Sequence, residues 1–258
     1  MLHRRIYQFF IIYFLGIASL FLIKYVLNLS DYVIPSPLEI WQTSQSVFFR
    51  YFFNVVDTLT VAILGHFLSI CLATIVGILG RLTLWIGSFI RVAAYNIQAY
   101  PIVAVAPIIF ILLGDGLSSR LLITAMICYF PLLLSFIGIL SEPVTEIEHF
   151  YEATLRMNWR LQVKIRAFEN VNKITTVIVG SGTLAMVGTI VSEFIAANAG
   201  IGHSIRMALD QSDLAKILVA LFLIGICTSL YLVCLEAFGQ VVQKRLQGKE
   251  SSWLIADS

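Results

Sequence analysis

Charge is what this sequence has least of. Asp, Glu, Lys and Arg make up 12% of its 258 residues, 59% are hydrophobic, and the mean hydropathy is +0.90. A soluble domain carries about 25% charged residues, so a soluble globular reading is excluded. The net charge of +2, with no long basic run, gives no footing for nucleic acid. The four cysteines, Cys71, Cys128, Cys227 and Cys234, all sit in apolar runs and none has CxxC spacing, which leaves no zinc or redox motif. His3, His66, His149 and His203 are scattered without HExxH spacing, so no metal site is expected. A phosphate-binding GxxxxGK[ST] loop is also missing: Gly248-Lys249 is followed by Glu250, and position 243 is Gln243.

What is present is long apolar runs. A run of 18 or more such residues reads as a membrane span, because about 20 helical residues cross the hydrocarbon. Six spans are predicted, near 7–27, 54–80, 93–113, 119–140, 174–197 and 214–239. The expected fold class is therefore an all-α polytopic membrane protein, a single transmembrane domain over 1–258. MLHRR and the apolar Phe9–Ile23 resemble a signal peptide, but Lys24 follows and no small-x-small cleavage site does, so a retained first span is expected. Pro101 and Pro107 in the third span and Pro131 in the fourth free carbonyls that neighbouring helices must satisfy, which puts these spans inside the bundle.

Lys and Arg set the expected orientation. With the N-terminus inside, Arg4, Arg5, Arg81, Arg91, Arg156, Arg160, Lys164, Arg166, Lys173, Lys244, Arg245 and Lys249 face the cytoplasm. Lys24, Arg50, Arg120, Arg206 and Lys216 fall at or beyond the outer face, so twelve of the 17 basic residues are inside. Both termini are then cytoplasmic in a multi-pass protein. Outside, Pro35 and Pro37 hold Ser36 extended, and a short amphipathic helix from about Leu38, with Trp41 and Phe48, is expected along the interface.

The largest internal connector, 141–173, is where charge returns. From Tyr151 to Ala167 odd positions are apolar and even ones polar, a strand-like period, yet no second strand exists to pair with it. Two short helices with a turn near Asn158 are expected instead. They would use the stripes Tyr151, Leu155, Trp159, Val163 and Met157, Leu161, Ile165, Phe168.

Here the chain resembles a known family. Glu152-Ala153-Thr154, then Asn158, then Phe168 and Asn170-Val171 are similar in spacing to the EAA loop of ABC-importer permeases. VIPSPLEIW, YPIVAVAPIIFILLGDG, YFPLLL and EFIAANAGIGHSI resemble the nitrate/sulfonate/taurine-type branch in the same order. The chain departs from the family with Asn158 for its glycine, Thr154 for its third alanine and Asn170-Val171 for its Leu-Pro. Asn tolerates left-handed backbone, so the turn is expected to survive.

The resemblance implies a type I importer permease (MetI-like) of about six spans in the bacterial inner membrane. It implies that Glu152, Ala153, Thr154, Met157 and Asn158 form a coupling helix against a separate ATP-binding-cassette ATPase. Small residues there allow close approach, and a carboxylate near a helix start is favoured by the dipole. It also implies a second permease copy, a homodimer, and a periplasmic or lipid-anchored solute-binding protein, all beside membrane lipid. This chain carries no cofactor and catalyses no covalent step; ATP and Mg belong to the ATPase. The resemblance implies a small, anionic solute, although related members of the family carry vitamin precursors and nothing in the spans chooses between the two.

For the pathway, Gln98 and Tyr100 offer hydrogen bonds just before the Pro101 kink. Glu193, inside the fifth span, has three roles open to it: gating, pairing with Arg206, or meeting solute. Asp57 is expected to be solvated, His66 to be hydrogen-bonded inside the bundle, and Gly200-Ile201-Gly202 to be a turn. The alternative function is an ion-coupled carrier working without an ATPase, although no duplication between the halves is visible. An intramembrane enzyme would need a nucleophile and base or metal ligands at a spacing not found here.

Overall fold

The computed structural model describes the backbone of residues 2–256 and the side chains of residues 7–246; Arg4, Arg5 and Lys249, counted above as inward cations, lie outside the latter. The described residues form ten helices and no strand. They are α1 Leu2–Val26, α2 Pro37–Leu79, α3 Leu84–Gln98, α4 Ile102–Leu113, α5 Leu117–Ser141, α6 Thr145–Ala153, α7 Trp159–Glu169, α8 Val171–Ile195, α9 Gly200–Asp210 and α10 Leu214–Ala256. Five of them are long and apolar enough to cross a membrane, and α3 and α4 together form a bent apolar pair, which as one broken span would make a sixth.

α2 begins at a strong signal. Ser36 accepts a hydrogen bond from the Glu39 N–H at 3.2 Å and Pro37 occupies the first turn, where its missing donor costs nothing. From there the helix runs 43 residues without a break, roughly 64 Å at 1.5 Å per residue. The separate interfacial helix expected from Leu38 is thus the first part of α2. The polar stretch Thr43–Ser46 interrupts the hydropathy, and its hydroxyls are absorbed locally: Ser44 and Ser46 donate to the Trp41 and Thr43 carbonyls.

The third span is also corrected. It starts at Leu84 rather than near 93 and breaks between Gln98 and Ile102, where the two halves meet at 88°. Pro101 has no N–H to continue α3 and serves as the N-cap of α4. Pro107 and Pro131 lie within α4 and α5 without ending them.

α5 is the centre of the packing, with α2 and α8 against it and α10 closing the bundle. The main core joins Ala62 and Ala73 of α2, Cys128, Leu132, Leu133 and Phe136 of α5, Ala185 and Met186 of α8 and Tyr231 of α10. Small residues permit this approach, since helices in lipid gain from close packing rather than from expelling water. At Gly65 a Cβ would come within 2.7 Å of the Thr124 side chain of α5. α1 stands outside, leaning on α10 through Phe9, Phe10, Tyr13 and Phe222, with the Tyr13 hydroxyl donating to the Leu218 carbonyl at 3.0 Å.

Candidate functional site

The connector folds as two short helices, α6 and α7, with a turn between them. The turn is built differently from the expectation. Asn158 has φ −139°, ordinary extended backbone, and its side chain caps α7 by accepting from the Leu161 N–H at 2.9 Å. The left-handed residue is Leu155, at φ 54°. The Leu155 N–H donates to the Glu152 carbonyl at 3.0 Å and the Arg156 N–H to the Tyr151 carbonyl at 3.0 Å. This pair of bonds is a Schellman cap, whose left-handed position is normally glycine. Leucine there costs about 1–2 kcal/mol of backbone strain, and this leucine is 94% exposed. The stripe drawn through Tyr151, Leu155, Trp159 and Val163 therefore does not run through the turn: Val163 is buried and Leu155 projects outward.

Glu152, Ala153, Thr154 and Asn158 are exposed and Met157 is half-buried, so the motif residues gather at the tip. Glu152 is not near a helix start. It lies one residue from the end of α6, where the dipole disfavours a carboxylate. Neither the strained exposed leucine nor the carboxylate beside it adds to the stability of the isolated chain.

The base of the connector has the opposite character. Glu148 of α6 and Arg166 of α7 are each 5% exposed. Two parallel bonds join them, Arg166 Nε to Oε1 at 2.5 Å and Nη2 to Oε2 at 2.7 Å. Arg166 Nη1 donates to the Leu140 and Ser141 carbonyls at 3.0 Å each, and so caps the C-terminus of α5 with a cation. The Val144 N–H and Gln162 complete the carboxylate at 3.1 and 3.3 Å. Hydrogen bonds from Arg166 hold the Glu148 carboxyl well below the usual range, at about 2. A bidentate buried pair of this kind fixes direction as well as distance. The tip is therefore rigidly tied to α5. Sequence reasoning passed over both residues, because charges in a connector look solvated. The available signal was Glu148 in the first turn of α6 and Arg166 in the last turn of α7.

Inside the bundle, Glu193 is fully enclosed. Arg120 of α5 bonds to it, not Arg206, and also to Asp57 of α2 at 2.7 Å. Thr58 donates to Glu193 at 2.7 Å and the Gly202 N–H at 3.0 Å, while the Ile201 N–H donates to Thr58 at 2.9 Å. The expected turn at Gly200-Ile201-Gly202 is in fact the start of α9, an 11-residue helix aimed at the carboxylate. Gly200 has φ +88°, and a Cβ there would overlap the Glu193 carboxyl. Arg206 instead donates to the Ile195 and Ala197 carbonyls at 3.0 and 2.9 Å. Asp57 remains partly exposed but is paired. His66 is held on both ring nitrogens, by Tyr231 at 2.6 Å and Ser181 at 2.7 Å. Gln98, Tyr100 and Pro101 lie exposed at the α3–α4 break, and no hydrogen bond or ion pair among the described residues links them to Glu193.

Residues 67–248, from the middle of α2 into α10, match the family described as the binding-protein-dependent transport system inner membrane component. The chain belongs to this family. The family is one of membrane components of binding-protein-dependent transport systems, and this chain is a permease component of that kind. It is similar to the riboflavin transport system permease protein RibX of Chloroflexus aurantiacus, 35% identical over 51% of this chain and 49% of that one. The chain thus spans about half the length of that relative. It is 25% identical to the formylaminopyrimidine transport permease protein ThiX of Halalkalibacterium halodurans, over 76% of this chain and 78% of that one. A probable ABC transporter permease protein of Haemophilus influenzae is 25% identical over 64% and 71%. These relatives do not single out the nitrate/sulfonate/taurine branch. The family of membrane components agrees with a fold that is helical and strandless among the described residues.

Proposed function

We propose that this permease is one half of the membrane channel of an ABC importer and that the α6–α7 tip couples it to a separate ATPase subunit. The observation that carries the reading is the contrast within one connector: a strained, exposed tip on a base locked to α5 by Glu148 and Arg166. A motor outside the membrane can move spans only through a protrusion rooted in them. ATP and Mg reside on that motor, the connector and both termini face the cytoplasm, and two permease copies form the pathway. A loaded solute-binding protein docks at the other end. Closure of the motor dimer draws the two tips together, and each tip turns α5 through Arg166.

For the solute, the small anion suggested by the sequence gives way in this proposal to a small nitrogen heterocycle. Riboflavin and formylaminopyrimidine in the relatives' names support it. The cation set deepest near the outer end, Arg120, is already engaged by two carboxylates and offers an anion little. Purification from native membranes tests the whole reading. An ATPase and a binding protein should co-elute, with ATP hydrolysis stimulated by the loaded binding protein. The small molecule released from that protein should absorb in the ultraviolet as a heterocycle does. Uptake that proceeds without any ATPase, driven by an imposed ion gradient, contradicts the reading; nitrate or a sulfonate in the binding protein contradicts the solute assignment.

A further inference from the structure

The end of the bundle that carries α6 and α7 holds a cleft of about 700 Å³ between the α2–α3 link, the end of α5 and α7. Three arginines line it, Arg81, Arg91 and Arg166. Among the described residues only Arg166 of the three forms an ion pair with a carboxylate, Glu148. Arg81 has neutral partners alone, Gln162 at 3.1 Å and Ser141 at 3.4 Å, and its buried Nε has none among the described residues. Arg91 reaches only Ser141, at 3.4 Å. Arg81, half-buried, and Arg91, exposed, thus face a polar cleft with no ion pair of their own among the described residues, which leaves guanidinium donors for an anion. Burial, and next the neighbouring Arg166, push the Arg81 guanidinium down from its ordinary value, with Glu148 opposing in smaller measure.

We propose that this cleft binds the phosphodiester headgroup of an anionic phospholipid, with Arg81 and Arg91 as its ligands. Guanidinium groups match phosphate oxygens with two parallel donors, and both arginines line the cleft. The position fits a lipid rather than a soluble anion. The cleft lies where α2 and α5 end, at Leu79 and Ser141, the level at which headgroups meet spanning helices. Basic pockets between helices at that level take anionic headgroups. The cleft also continues into a second groove of about 400 Å³, which shares Arg91 and Ser141 and runs along α3 and α5 past Tyr95, Leu134 and Gly138. A Cβ at Gly138 would meet nothing within 4 Å, so the groove is open where the glycerol and the first part of an acyl chain would lie.

Native mass spectrometry of the full chain, with the subunits that co-purify, tests this. The complex is equilibrated with vesicles of equal phosphatidylglycerol and phosphatidylcholine, and the retained lipid is counted. Phosphatidylglycerol should be retained over phosphatidylcholine by about tenfold or more, the scale two basic residues give at an anionic membrane. Arg81→Gln/Arg91→Gln should abolish the preference, and Arg91→Gln, which changes an exposed residue and spares the fold, should weaken it. Arg91→Lys should restore part of it. Gly138→Leu, which fills the groove and leaves both arginines, should lower phosphatidylglycerol retention. An unchanged preference in Arg91→Gln and in the double variant, or unchanged retention in Gly138→Leu, overturns the assignment. So does an arginine-dependent hold on inorganic phosphate without any preference for phosphatidylglycerol, which would make the ligand a soluble anion.

Discussion

Replacing Glu148 with glutamine tests whether the connector is rooted as described. The variant keeps the shape of the side chain but leaves Arg166, 5% exposed, as a buried cation without its counter-charge. Two routes give its size. The carboxyl is held at about 2 against a usual 4.5, and at 1.36 kcal/mol per unit this is about 3 kcal/mol. Removing one partner of a buried pair costs about 3–5 kcal/mol. Taking the lower figure, local opening of α7 becomes about a hundred times more populated, since 1.4 kcal/mol is a factor of ten. Trypsin reads this directly. Arg160 and Lys164 lie within α7 and are cut only when it opens, whereas Arg156 lies in the link and is open to attack already. With cleavage slow relative to reclosing, the rate tracks the open population. Cutting after Lys164 should rise about a hundredfold in Glu148→Gln while cutting after Arg156 changes little. A rise of less than about threefold would mean the pair does not hold the connector, and the argument for a rigid lever fails with it.

Other outcomes follow from the same geometry. Leu155→Gly removes a side chain from a left-handed site, so the melting temperature should hold or rise, by at most about 1–2 kcal/mol of relieved strain; ATPase stimulation should nevertheless fall, because the exposed anchor is gone. Arg120→Met leaves the enclosed Glu193 without its cation and should destabilise by about 3–5 kcal/mol in a detergent melt, with Arg120→Met/Glu193→Leu recovering part of the loss. The depressed Glu148 group contributes stability that is complete above its usual 4.5 and is lost as pH falls towards about 2. Hydrogen exchange at α6 and α7 should therefore accelerate, after correction for the intrinsic rate, between those two values and not above them.

The apolar runs read near 7–27, 119–140 and 174–197 coincide within a few residues with α1, α5 and α8, because each is a single uninterrupted apolar run. Hydropathy failed where the chain breaks its own pattern. Thr43–Ser46 looks like a gap between elements, yet serine and threonine hydroxyls can return to the helix backbone, so α2 runs through. Pro101 announced a kink, but a proline does not state an angle, and the 88° break depends on how α4 packs against α5 and α8. Gly200-Ile201-Gly202 read as a turn because glycine is ambiguous in sequence; what it permits here is the close seat of α9 on Glu193. The two short helices of the connector were legible from the apolar spacing, although the residue bearing the left-handed backbone was Leu155 and not Asn158. The Glu148–Arg166 root was not legible, since a pair 18 residues apart on two helices is made by the fold alone. The partner of Glu193 was missed for a related reason: the sequence offered Arg206, whereas the fold brings Arg120 of α5 between carboxylates from α2 and α8.

The central claim is that the α6–α7 tip meets an ATPase. Single cysteines at Glu152, Thr154, Leu155 or Asn158, in a chain with Cys71, Cys128, Cys227 and Cys234 replaced, would be crosslinked in native membranes. The account predicts capture of an ATP-binding-cassette subunit from these positions, with a yield altered by ATP, and none from Glu169 at the end of α7. A folded, abundant protein that captures no ATPase from any tip position would contradict it.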